Sequence, residues 1–379
     1  MHREPILRLN PFDPAMVEQY TDLMMRVFNA PKEPVELNGS RMDDQYVVER
    51  EGRVVAGYGV FRCGMNVCGR TVGLGAVAGV AVAPEARGGG LASGMMASSL
   101  DALREALVPL AALYASTFGL YRKLGYEQAG SRFERRSRTS DIHVADRALP
   151  VRAASDDDLR AVATGGHGHL VRSEGLWQRL LHPAVGRTES YIVGDGEGWV
   201  VLWRSEPGPH FEWKVRNWGY STPAAARRLW TLLADASTMS ETVSWPGPAN
   251  DPMETLLPEP QVSVVAEERT MLRIIDVPAA IAGRGWLSDG VATVRIDDDI
   301  IAENAGTWRI TVDGGNGRAQ RVDDEAETRL HIRAFAALYS GFHTAGELLS
   351  IGRITGTPRK LSALDAIFAA PRPWMSDKF

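Results

Sequence analysis

The chain has 379 residues, 44% of them hydrophobic and 23% charged, with a net charge of −5. That length exceeds one ordinary core and that composition is neither disordered nor fibrous, so two or three globular domains are expected. The charge gives no reason to expect nucleic acid as a partner, and it is mildly compatible with a cationic substrate.

Ile6, Leu7 and Leu9 predict a first strand. Residues 14–28 then put Met16, Val17, Tyr20, Leu23, Met24, Val27 and Phe28 on one helical stripe. A loop follows over 29–39, with Pro31 and Pro34. Tyr46 to Arg50 and Val54 to Phe61 read as strands across the turn Glu51-Gly52-Arg53. Cys63 and Cys68, the only cysteines, flank a predicted hairpin turn at Gly64-Met65-Asn66-Val67. Without further Cys or paired His beside them, neither a zinc site nor a disulfide framework is expected. The first residues carry no apolar signal-peptide core. No run of about 18 apolar residues predicts a membrane span, which leaves a cytoplasmic protein as the default.

The most informative stretch is 72–126. Val72, Leu74, Ala76, Ala78, Val80 and Val82 alternate as in a strand. Pro84 ends that pattern, and Arg87-Gly88-Gly89-Gly90-Leu91-Ala92-Ser93 follows. Leu91, Met95, Met96, Leu100, Leu103 and Leu107 then recur at helical spacing. A glycine turn opening a helix can cradle an anion, because the first helical N–H groups lack intrahelical partners and sit at the positive end of the dipole. The same glycines also suit a plain flexible turn. A Walker loop is excluded, since Leu91-Ala92-Ser93 is not Gly-Lys-Ser/Thr. A dinucleotide fingerprint is excluded by Ser93 at the third glycine. Leu110 to Ala115 predicts a buried strand, followed by Ser116, Thr117 and Phe118 to Tyr126.

Here the sequence resembles the GNAT superfamily of N-acetyltransferases. Arg87, Gly90 and Ala92 match its Gln/Arg-x-x-Gly-x-Gly/Ala loop. Tyr121, Leu124, Gly125 and Tyr126 match its Tyr-x-x-Leu/Phe-Gly-Phe/Tyr segment. The domain is expected to close near Arg138, after a strand whose Arg132, Arg135, Arg136 and Arg138 read as a solvated face.

The pattern restarts at Val151. Ser155 and three aspartates start a helix through Leu159 and Val162. His167 and His169 form a loop rather than a metal site, since no third ligand is nearby. Tyr191 to Val193, Trp199 to Trp203 and Phe211 to Tyr220 are strand-like. A helix over 224–234 turns Leu229, Trp230, Leu232 and Leu233 inwards. This order is GNAT-like but lacks the loop, so 139–275 reads as a degenerate second GNAT domain behind the catalytic 1–138. Pro246 to Pro260 punctuates the chain, and Met271 to Val277 crosses to a third unit. Strands at 291–296, 307–312 and 328–332, then helices at 334–338, 345–351 and 362–368, predict an α+β domain over 276–379. The fold class is α/β overall, with tandem GNAT domains before that α+β domain. The chain ends on Trp374 and Phe379 rather than a charged tail.

This arrangement, closing on an aromatic residue, is similar to the enhanced intracellular survival family of acetyltransferases. The resemblance implies a third domain like sterol carrier proteins, acetyl-CoA as co-substrate with no metal, and a small amine acceptor, often an aminoglycoside. It also implies a homo-oligomer, a hexamer in the family. Tyr121 would be the general acid and the terminal carboxylate of Phe379 the general base. Backbone of Val80, Ala81 and Val82 would hold the pantetheine arm. Arg87, Gly88, Gly89, Gly90, Leu91, Ala92 and Ser93 would hold the pyrophosphate, and Ser116 and Thr117 would lie near the thioester. The chemistry is consistent, since a tyrosine of pKa about 10 is protonated at neutral pH and can donate. An α-carboxylate of reference pKa about 3.5 is a weak base in water that burial strengthens.

The bland alternatives are a core aromatic for Tyr121 and an apolar anchor for Phe379. Gly79 stands where family members can carry a bulky aromatic beside the acceptor pocket. The rival function is a binding protein that holds an apolar ligand in its third domain, with a relic GNAT domain. A chain terminus ordinarily carries few contacts, so changes at Phe379 are expected to cost activity rather than stability.

Overall fold

The computed structural model describes residues 6–9, 13–29, 42–204 and 211–379. Apart from Asn29, the predicted loop over 29–39 lies outside them. The first unit runs β1 (Leu7–Arg8), α1 (Pro14–Phe28), β2 (Asp44–Arg50), β3 (Arg53–Val67), β4 (Arg70–Val82), α2 (Leu91–Glu105), β5 (Leu110–Tyr114), α3 (Phe118–Arg122) and β6 (Glu127–Arg138). α1 starts where it does because the Asp13 carboxylate accepts from the amides of Ala15 and Met16, at 3.1 and 3.2 Å. Pro14 at the first helical position needs no donor.

Two local expectations are corrected. The β3–β4 turn sits at Cys68-Gly69, not at 64–67, and Gly64 to Val67 continue the strand. Cys68 and Gly69 have φ of +49° and +83°, the left-handed pair that a tight two-residue hairpin requires. Leu107 is not on the helical stripe. It lies past the end of α2 at φ +57° and is 88% exposed, just before Pro109.

The second unit has β7 (Val151–Ala153), α4 (Asp156–Val162), β8 (Leu170–Val171), α5 (Glu174–Leu181), β9 (Arg187–Val193), β10 (Gly198–Arg204), β11 (Phe211–Tyr220), α6 (Pro223–Ala234), β12 (Ser240–Gly247) and β13 (Ser263–Ile274). Ser155 and Asp158 form a reciprocal capping box at the start of α4. Trp218, Trp230 and Trp245 pack together in its core, with ring centroids 5.0 to 6.3 Å apart.

The described strands β1 to β13 form one sheet. Its main path runs β1-β2-β3-β4-β5-β13-β6-β12-β11-β10-β9-β7, with β8 on β3. β13 inserts between β5 and β6, pairing antiparallel with both. Met271 to Ile274 therefore do not merely cross to a third unit; they fill the first unit's sheet. β6 in turn pairs with β12 of the second unit. A cut at 275 would leave in the second segment a strand that the first segment's β5 and β6 both hold.

That insertion also corrects the arginine face. Arg132 and Arg135 are 5% and 2% exposed. Arg132 pairs with Glu268 of β13 at 2.9 Å, and Arg135 pairs with Glu254. Only Arg136 and Arg138 face solvent. Alternation puts Arg132, Arg136 and Arg138 on one face and Arg135 on the other, and the neighbouring elements decide how much of each face is covered.

The third unit has α7 (Val277–Gly283), β14 (Gly290–Asp297), β15 (Gly306–Asp313), β16 (Asn316–Val322), β17 (Thr328–His331), α8 (Ile332–Tyr339), α9 (Ala345–Ser350), β18 (Ile354–Thr355) and α10 (Pro358–Ile367). Its sheet runs β16-β15-β14-β17-β18. β16 escaped sequence reading because Asn316 to Val322 is a polar edge strand with no apolar face. One core joins this unit to the first: Leu74, Ala76 and Ala78 of β4 pack in the same cluster as Phe335, Phe368 and Phe379.

The last residues are docked, not frayed. The Asp377 carboxylate pairs with Arg172 at 2.6 Å, and both side chains are 6% exposed. The Tyr114 hydroxyl donates to the Asp377 carbonyl at 2.7 Å. Trp374 packs edge-on against His169, with centroids 4.4 Å apart. Phe379 and Met375 are buried, each contributing about 1.5–3 kcal/mol. The expectation that the terminus carries few contacts is therefore wrong.

His167 and His169 lie under this tail. The Cys68 amide donates to His167 Nδ1 at 3.0 Å, so Nε2 carries the proton that reaches the Ser340 carbonyl at 2.7 Å. Burial pushes His169 down to about 4. Its folded value lies below the unfolded value of about 6.5, so its contribution to stability is complete above that pH and is lost as pH falls towards 4. Thermal melts from pH 7 to 4 should show His169→Phe losing less Tm than the parent. Equal losses would mean that His169 does not titrate in this window.

Candidate active site

The site begins with a defect in β4. Gly57 of β3 pairs with Ala81 and Gly59 pairs with Ala78, so Gly79 and Val80 together face Tyr58. This is a β-bulge, and Gly79 holds it at φ +60°. An L side chain there would be strained. β4 pairs with β5 only from Leu74↔Leu110 to Ala76↔Ala112. Beyond Ala76 the edge of β4 towards β5 carries no ladder among the described residues. Backbone along this edge can bond an extended ligand, although the Val82 carbonyl already accepts from Arg87 Nε.

The turn Pro84–Ala86 carries the chain from β4 to the glycines. Gly88 and Gly90 have φ of +88° and +79°. Nothing lies within 4 Å of a Cβ built on Gly88, Gly89 or Gly90. Gly90 is the N-cap of α2, and among the described residues no side chain caps that end. The first amides of α2 therefore remain available to an acceptor from outside. Arg87 folds back so that its Nε donates to the Val82 carbonyl at 3.1 Å, which ties the loop to the end of β4.

Loop, strand edge and α3 enclose a cleft of about 560 Å3. Val80, Val82, Arg87, Gly88, Gly90, Leu91, Ala92 and Ser93 line one side. Ser116, Thr117 and Tyr121 line the other. Ala81 and Gly89 are not among its walls; Ala81 is fully buried against β3. Val27 and Phe28 at the end of α1, Ala86 and Leu120 also line the cleft and were not singled out in the sequence. Phe28 gave a faint signal, as an aromatic that ends an otherwise inward-facing stripe; it is 50% exposed.

Tyr121 is held from three sides. Its carbonyl accepts from the amides of Leu124 and Tyr126, at 2.9 and 3.1 Å. Its ring meets Tyr126 edge-on, with centroids 5.9 Å apart. The turn closes at Gly125, φ +86°, where a Cβ would come within 2.7 Å of the Arg273 guanidinium. Arg273 is fully buried and bonds Asp298 at 2.8 Å, so β13 and the third unit brace this turn. Burial pushes the Tyr121 hydroxyl up to about 12. The group is therefore protonated across the neutral range.

Phe379 does not line the cleft. Its ring lies 5.2 Å from that of Tyr114, the last residue of β5, which leads directly into Ser116, Thr117 and Tyr121. Tyr121 and Phe379 belong to different core clusters. They approach the open end between β4 and β5 from the two faces of the sheet.

Comparison with known proteins finds three family models along the chain. Residues 9–129 match a GNAT acetyltransferase domain, 168–274 match another GNAT acetyltransferase domain, and 277–376 match a sterol carrier protein domain. An uncharacterized N-acetyltransferase from Streptomyces griseus is 27% identical over 365 residues, covering 86% of this chain and 87% of its own. N-acetyltransferase Eis from Mycobacterium tuberculosis is 27% identical over 319 residues, covering 78% and 77%. The crystal structure of a GCN5-related N-acetyltransferase from Anabaena variabilis superposes with a TM-score of 0.92, at 26% identity over 99% of this chain and 100% of that one.

Proposed function

We propose, on the premise that the chain is an acetyl-transferring enzyme of the Eis type of GNAT N-acetyltransferases, that it moves the acetyl group of acetyl-CoA to a primary amine of a small acceptor. The observation that carries this reading is the cleft itself. An unpaired strand edge, an uncapped helix start and a tyrosine hydroxyl meet in one space. The strand edge suits the amides of a pantetheine arm, and the helix start suits its pyrophosphate.

Both substrates are bound together in this reading. The amine nitrogen attacks the thioester carbonyl, the C–N bond forms and the C–S bond breaks. The amine proton goes to the terminal carboxylate of Phe379. The departing thiolate takes a proton from Tyr121. The acceptor is a polycationic, aminoglycoside-like amine, and the enzyme works in the cytoplasm as a homo-oligomeric hexamer. Light scattering on the purified chain tests the assembly.

Against the rival, a carrier of an apolar ligand, stands the aromatic packing of the third unit's core. Trp286, Phe335 and Phe368 meet there ring to ring at 5.2 and 5.8 Å, and the Arg284 guanidinium lies 4.3 Å from Trp286.

An acceptor panel of aminoglycosides, polyamines, peptides and arylamines, read by free CoA, tests the reading. Release with at least one amine is expected, together with thermal stabilisation by acetyl-CoA. Neither effect across the panel would overturn it. Gly90→Asp should weaken acetyl-CoA binding more than about tenfold, or 1.4 kcal/mol. The substitution places negative charge at the helix start, where the space is open and only φ +79° opposes a side chain. Unchanged affinity in a folded variant would remove the loop from the acetyl-CoA site.

A further inference from the structure

Where the turn after α3 meets the third unit, two cavities of about 150 and 320 Å3 adjoin to form one groove. They share Arg122, His331 and Arg333, and neither has a lining residue in common with the acetyl-CoA cleft. Arg353 lines only the smaller lobe, and Lys123 only the larger. Four cationic side chains therefore stand against two lining carboxylates, Glu127 and Asp299. Both carboxylates are engaged. Glu127 pairs with Arg122 at 2.6 Å, and the Asp299 carboxylate lies 3.1 Å from His331 Nε2. Among the described residues no carboxylate pairs with Lys123, Arg333 or Arg353. Arg333 is half-buried, and its Nε donates to His331 Nδ1 at 3.3 Å. That bond fixes the stem of the guanidinium and leaves both Nη groups without a partner among the described residues.

We propose that this groove binds a compact anion carrying two phosphate groups, alone or as the diphosphate of a nucleotide. The number of groups follows from the layout of the cations. Arg333 stands where the lobes join, and each lobe adds one further unpaired cation, Arg353 or Lys123. The two Nη groups of a guanidinium can bond two oxygens of one phosphate, which a single carbonyl or hydroxyl cannot match. Lys123 belongs to the turn that follows Tyr121, whereas Arg333 and Arg353 belong to the third unit. A bound diphosphate would bridge the two units behind the catalytic turn. Only the folded chain brings these three cations together, so the ligand stabilises the fold by mass action. None of this depends on the roles of Tyr121 or Phe379.

The probes are pyrophosphate, inorganic phosphate and ADP, titrated by calorimetry into the full chain saturated with acetyl-CoA, which occupies the helix start of α2. Pyrophosphate should bind once per chain, at least about tenfold tighter than phosphate, and should raise Tm. Arg333→Gln should weaken it at least about tenfold. Arg353→Gln and Lys123→Gln, at exposed side chains that the fold does not need, should each weaken it about threefold. Arg318→Gln, on the exposed side of β16, removes the same charge away from the groove and should change nothing. Equal affinity for ADP and pyrophosphate assigns the site to the diphosphate alone, and ADP at least about tenfold tighter assigns it to a nucleotide. If acetyl-CoA does not bind, the reading of the cleft fails, and the variant series still decides the groove. No saturable binding, phosphate as tight as pyrophosphate, a Tm unmoved at about 100 Kd, unchanged affinity in all three groove variants, or an equal loss in Arg318→Gln would overturn the site.

Discussion

Tyr121→Phe is expected to lower kcat by about 10²–10⁴-fold and to leave acetyl-CoA affinity within about twofold. The substitution removes one oxygen. The carbonyl bonds from Leu124 and Tyr126 and the edge contact with Tyr126 use backbone and ring, so the turn should survive. Phenylalanine fills the same space, and Tm should stay close to that of the parent. The hydroxyl, pushed up to about 12 by burial, is protonated at every pH where the protein is assayed. A group with a raised value keeps its proton below that value, so Tyr121 should impose no fall in kcat between pH 6 and 10. A fall in that window that persists in the variant belongs to another group. A kcat within about twofold of the parent would make Tyr121 a core aromatic only.

A C-terminal extension is expected to lower kcat at least about 10²-fold, because it turns the carboxylate of Phe379 into an amide and pushes the chain out of place. Deleting Phe379 moves the carboxylate to Lys378, about 3.5 Å short in reach. The two changes differ in stability. Phe379 is buried beside Tyr114, so its deletion should also cost about 1.5–3 kcal/mol. Assays therefore belong well below the Tm of the truncated chain. Phe379→Leu separates base from anchor, since it keeps the carboxylate and loses the ring contact. It should retain most of kcat while losing part of the stability. If the extended chain turns over like the parent, the base lies elsewhere. If Phe379→Leu is as inactive as the extended chain, the ring rather than the carboxylate carries the effect.

Much of the cleft was legible because its chemistry is local. A strand, a glycine turn and a helix start are consecutive in sequence, so Val80, Val82 and Arg87 to Ser93 must lie side by side whatever surrounds them. Leu124-Gly125-Tyr126 was legible only through the resemblance, and the structure adds the turn with φ of +86° at Gly125. The strands of the tandem units showed through their alternation, and α1 showed through its stripe.

Other features depended on which distant segments meet. Nothing in Ser263 to Ile274 names β5 and β6 as its neighbours, because backbone pairing is indifferent to side-chain identity. With β13 came the burial of Arg132, which as an isolated strand residue reads as solvated. The fit of Arg273 against Gly125 and the ion pair that anchors it to Asp298 were equally hidden, since these residues are far apart in sequence. The tail shows both sides. Its aromatic ending was plain in the sequence. Only the fold brings Tyr114 and the stretch from His169 to Arg172 together to hold it, and charge pairing and burial across such distances leave no periodic trace in the chain.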